Sequence, residues 1–100
     1  MKTYETPWLT GSLLICNKCG KSFGEPDNAE KLKSELKGYL KESENHKKIR
    51  VMVSGCLNIC QNEEQAVVFN PAEGKTQAFT VGPNYKSAIG ELKDFLNKKL

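Results

Sequence analysis

The chain has 100 residues, 38% apolar and 27% charged, with a formal net charge of +3. That is the size and balance of one water-soluble domain with a modest core. No Lys/Arg block interleaved with aromatics argues for nucleic acid, and no apolar run is long enough to span a bilayer.

Residues 1–11 read as an N-terminal tail and residues 12–100 as the domain. The tail carries Lys2, Glu5 and Pro7 and no apolar run of signal-peptide length. A reducing cytoplasm is therefore expected, where clustered cysteines indicate a metal or redox site rather than a disulfide framework. Tyr4 and Trp8 are candidates to dock on the domain or on a partner.

Leu13-Leu14-Ile15-Cys16 predicts a short buried strand. Asn17 to Pro26 reads as a loop broken by Gly20, Gly24 and Pro26. Asp27 is the expected helix N-cap, with Glu30 as its capping-box partner. The helix is expected to run to about Ser43, with Leu32, Leu36, Tyr39 and Leu40 on one stripe and Gly38 weakening it. Ile49, Val51 and Val53 alternate with Arg50 and Met52, a second strand running into Ser54-Gly55-Cys56. Ala66 to Phe69 is a third strand, Asn70 to Gly74 a tight turn, and Thr76 to Val81 the returning strand. Gly82-Pro83 opens a last helix whose stripe is Tyr85, Ala88, Ile89, Leu92, Phe95 and Leu96.

The order is β-α-β-loop-β-β-α. A parallel first pair of strands joined by a right-handed crossover, extended by an antiparallel hairpin, makes a four-stranded mixed sheet. Two amphipathic helices covering it complete an α/β layered domain.

The four cysteines form a C-x2-C pair, Cys16 and Cys19, and a C-x3-C pair, Cys56 and Cys60, separated by 36 residues. Each pair begins where a strand ends. If those strands are parallel neighbours, both pairs emerge at one carboxyl edge, where open α/β sheets place their sites. Four thiolates converging from two loops can hold a metal centre. Zinc takes four-cysteine sites too, and C-x2-C is a common zinc half-site. Thiol–disulfide exchange is a third reading, but the first good N-cap, Asp27, lies well past Cys19, so no helix N-terminus lowers that thiol pKa.

Leu14-Ile15-Cys16 ending one strand, and Val53-Ser54-Gly55-Cys56-Leu57-Asn58-Ile59-Cys60 before Ala66-Val67-Val68-Phe69-Asn70-Pro71, resemble the thioredoxin-like 2Fe-2S ferredoxin family. The element order extends that resemblance over residues 12–100. It implies a thioredoxin-like fold, with a loop around residues 56–65 in place of the middle helix. It also implies a 2Fe-2S cluster ligated by Cys16, Cys19, Cys56 and Cys60. The expected function is electron transfer between redox partner proteins rather than catalysis, and members of the family are often homodimers. The better-known members place more residues between the first two cysteines than the Asn17 and Lys18 found here. A structural four-cysteine zinc module remains the alternative, and a dithiol oxidoreductase the second.

Other candidates are weaker. His46, the single histidine, lies in a polar linker, and one histidine excludes a Rieske-type site. Lys18, Lys21, Lys47 and Lys48 are candidates for an acidic partner, although each alone reads as solvated surface. Gly20-Lys21-Ser22 lacks the earlier glycine of a phosphate loop, since Ile15 stands there. Ser12, Ser22 and Ser54 have no triad context. Tyr39, Phe69, Phe79, Tyr85 and Phe95 are expected in the core, and Phe23 is expected to shield the cysteine loop from water. Gly20 and Gly55 are expected to let backbone N–H groups approach the sulfurs.

Overall fold

The computed structural model describes residues 1–59 and 62–100. The strands are β1 (Gly11–Cys16), β2 (Ile49–Ser54), β3 (Gln65–Pro71) and β4 (Gln77–Val81); the helices are α1 (Asn28–Glu42) and α2 (Tyr85–Lys99). The sheet order is β2-β1-β3-β4. β1 runs parallel to β2 and antiparallel to β3, and β3 runs antiparallel to β4. This is the expected α/β domain with a four-stranded mixed sheet and two main helices. Among the described residues, no helix is long and apolar enough to cross a membrane.

Register explains where the core sits. Leu13 lies opposite Val51 and Phe69, Ile15 opposite Val53 and Val67, and Val67 opposite Phe79. Directly paired residues share a face, so these apolar side chains form one surface. Leu32, Leu36 and Leu40 of α1 and Ala88, Ile89, Leu92 and Leu96 of α2 pack into the same cluster. Both helices therefore cover the same face of the sheet. Phe95 of α2 meets Phe69 edge-on at 5.5 Å and Phe79 at 4.7 Å. Outside the core, Tyr39 donates to Asn97 Oδ1 at 2.7 Å, and Lys93 pairs with Glu35 at 3.4 Å, so Tyr39 ties the helices together at the surface. Tyr85, expected on the apolar stripe, is exposed.

The two helix starts differ. Asp27 is the N-cap of α1, but no side-chain hydrogen bond caps it, and its ψ is 11°. A capping side chain needs an extended backbone to aim at the first-turn N–H groups, so the expected capping box does not form. Asn84 has ψ 115°, and its Oδ1 accepts from Ser87 N at 3.0 Å. It caps α2 in the role assigned from sequence to Gly82-Pro83.

The tail ends earlier than its expected boundary. Gly11 already belongs to β1, while Leu9 N donates to Lys47 O and Thr10 N to Lys48 O. Trp8 is half-buried with the Arg50 guanidinium 5.5 Å from its ring, whereas Tyr4 is exposed.

Candidate metal centre at the carboxyl edge

Because β1 and β2 are parallel, Cys16 pairs with Ser54 at their common carboxyl edge. Asn17 N continues the ladder to Ser54 O at 2.9 Å. Cys16 thus ends one strand beside the start of the Gly55-Cys56 loop, as the spacing predicts. Cys19 opens a 3-10 turn, Cys19–Phe23, within the segment expected to be a plain loop.

Cys16 stands on the sheet face opposite Ile15, away from the helices. There Cys16, Cys19 and Ala66 are buried together, and Leu57 and Ile59 from the second cysteine loop pack against them. The two loops therefore meet in a small apolar cluster separate from the main core. Phe23, expected as the shield, is half-buried, but Leu57 and Ile59 are the side chains packed on this cluster. Cys56 is exposed. Cys60 lies outside the described residues.

Each described cysteine sulfur accepts a backbone N–H. Lys18 N donates to Cys16 Sγ, Ala66 N to Cys19 Sγ and Asn58 N to Cys56 Sγ, each at 3.4 Å. Sulfur is a weak acceptor as a thiol; as a thiolate it is a charged acceptor, and its hydrogen bonds strengthen accordingly. Asn58 holds φ at 60°, a left-handed conformation that asparagine tolerates better than most residues. That turn carries its N–H back to Cys56.

Gln65 supports the edge from the helix side. It is fully buried; its Nε2 donates to Cys16 O at 2.8 Å and Ala66 O at 3.0 Å, and its Oε1 accepts from Asn28 Nδ2 at 2.9 Å. One amide joins the end of β1, the start of β3 and the first residue of α1. A second tie runs from Glu63 N to Ser22 Oγ, which itself donates to Cys19 O at 2.9 Å. Asn28 and Gln65 were not singled out from sequence; a polar residue heading an apolar strand was the available signal.

The two glycines of the cysteine loops differ in their surroundings. A Cβ on Gly20 would lie 1.9 Å from Glu25 O, so its lack of a side chain serves the turn closed by Glu25 N and Gly20 O. A Cβ on Gly55 meets nothing within 4 Å among the described residues other than its chain neighbours.

Among the described residues, no three His, Cys, Asp or Glu side chains form a group able to hold a metal ion. His46 is exposed in the α1–β2 connection, remote from the cysteine edge. The donors are of the type a thiolate-held centre uses: sulfurs at the carboxyl ends of β1 and β2 that receive backbone N–H groups. No protein-family model, curated protein or solved structure matches the chain.

Proposed function

We propose that the chain is an electron-transfer protein whose Cys16, Cys19, Cys56 and Cys60 hold a 2Fe-2S cluster. The reading is supported above all by the three N–H···S hydrogen bonds found at one sheet edge. Such donors offset thiolate charge and tune the potential of a centre held by those sulfurs. The resemblance to thioredoxin-like 2Fe-2S ferredoxins supports the cluster type. When bound, the cluster supplies a one-electron couple. The chain's own part is to bind it, to limit water through Leu57 and Ile59, and to present the Cys56 side to a docking protein. Redox partner proteins, a homodimer and a reducing cytoplasmic setting belong to this proposal.

A four-cysteine zinc module is the competing reading, favoured by the short Cys16-x2-Cys19 loop with Lys18 N–H on Cys16 Sγ, because N–H···S bonds stabilise zinc thiolates as well. The test is a visible spectrum of protein purified without oxygen, with iron, sulfide and zinc assayed on the same sample. Broad absorption between about 400 and 600 nm that bleaches with dithionite, with equal iron and sulfide, is expected. A colourless chain carrying one zinc would overturn the cluster. A folded, metal-free chain that takes up no cluster on reconstitution would leave dithiol chemistry.

A further inference from the structure

β4 closes one side of the sheet, with β3 as its neighbour. An edge strand leaves alternate backbone N–H and C=O groups unpaired, and edges that stay single are commonly guarded by charges, proline or a bulge. The sequence of β4 is Gln-Ala-Phe-Thr-Val, with neither charge nor proline. The other edge strand, β2, carries the exposed Arg50. On β4, Gln77 and Ala78 are exposed and Phe79 and Thr80 half-buried.

A groove of about 340 Å³ runs along this edge between β4 and α2, and its lining includes Phe79, Phe95, Glu91, Asp94 and Lys98. Phe79 and Phe95 pack on the main core yet stay half-buried. Glu91, Asp94 and Lys98 are exposed, and the ion pairs among the described residues use none of them. Glu91 and Lys98 bracket Phe95 along the helix, two turns apart on one side. This edge therefore offers open strand, aromatic surface and one charge of each sign in line.

We infer that β4 pairs antiparallel with β4 of a second copy of this chain, across a two-fold axis at Phe79, making one eight-stranded sheet. Phe79 then lies opposite its own symmetry mate, an aromatic cross-strand pair. Phe95 touches Phe69 on β3 and Phe79 on β4, so α2 runs above the line between those strands. With strands about 4.8 Å apart, each α2 axis stands about 5 Å from the two-fold axis. The two α2 helices are then about 10 Å apart, within the ordinary spacing of packed helices. They run antiparallel, so Glu91 of each copy faces Lys98 of the other. A two-fold interface requires that reciprocity, and β4 and α2 both supply it. The inference gives the homodimer of the proposed function a definite interface but uses no cysteine. Oligomeric state and visible spectrum are separate measurements, so either reading can fail alone.

The test is sedentation equilibrium of the whole chain from about 1 μM to 1 mM, the range in which an interface of modest area associates. A monomer–dimer equilibrium is expected, with amide hydrogen exchange at residues 77–81 slowing as the dimer forms. Glu91→Lys and Lys98→Glu should each weaken association about tenfold, because two-fold symmetry replaces two attractive pairs by two repulsive ones. The double variant, Glu91→Lys with Lys98→Glu, should restore it, since the pairs re-form with their signs exchanged. All four positions of these substitutions in the dimer are exposed in the single chain, so the fold itself is not at stake. Dimers indifferent to the single variants, not restored by the double, or formed without slowed exchange in β4 would overturn the interface. A chain still monomeric at about 1 mM would leave the groove to another protein and overturn the inference as well.

Discussion

The two faces of the sheet are stabilised differently. On the helix face, α1 and α2 bury a continuous apolar cluster that includes Leu13, Ile15, Phe69, Leu36 and Leu92. On the opposite face, at the carboxyl edge, the buried cluster among the described residues is Cys16, Cys19 and Ala66, topped by Leu57 and Ile59. The first needs nothing beyond its own side chains. The second depends on N–H···S bonds, the Gln65 amide and the Ser22 tie. A region with so little apolar burial opens at low free energy unless something binds it, and the proposed metal centre would supply such a tie.

Substitutions should separate the two faces. The largest expected effect is on the proposed centre: Cys16→Ser should abolish the visible absorption and the iron content while the helices persist by circular dichroism. Retention of full iron and colour would show that Cys16 is not a ligand. Leu92→Ala removes a fully buried core side chain and should cost about 2–5 kcal/mol in denaturant unfolding. It should leave the spectrum of the remaining folded protein unchanged.

Gln65→Leu is expected to cost about 1–3 kcal/mol, because the buried Asn28 amide and Cys16 carbonyl lose their partner. Unlike Leu92→Ala, it should also speed hydrogen exchange at Asn17 and Ala66. An exchange pattern matching that of Leu92→Ala would mean the amide supports the whole fold rather than this edge. The smallest effect is at Asn58. Asn58→Val forces a β-branched residue to a φ of 60° and should cost about 1–2 kcal/mol and speed loss of the proposed centre to a chelator. Asn58→Gly should behave as the parent, and equal behaviour of the two variants would count against a role for this turn.

Much of this was legible in the chain. Leu13 to Cys16 and Ile49 to Val53 announce strands by β-branched or continuous apolar character, and Leu32, Leu36 and Leu40 announce a helix by spacing. These are local periodicities that burial on one face imposes directly. The placement of Cys16 beside the Cys56 loop also followed, because each cysteine pair abuts a strand end and the first two strands pair in parallel. Local geometry misled at Asp27, whose residue type suits a cap but whose ψ does not, and at Tyr85, whose helical spacing fits the stripe but whose position stays exposed.

Sequence by itself determined the elements, their order and the edge at which the first three cysteines emerge, because hydrophobic period and strand-end position are properties of neighbouring residues. Tertiary structure alone decided that both helices share one face and that Leu57 and Ile59, not Phe23, pack on the buried cysteines. It also decided that Gln65 reaches 49 residues back to Cys16. Those outcomes depend on pair register and on the relative placement of elements, which bring together residues that no local pattern connects.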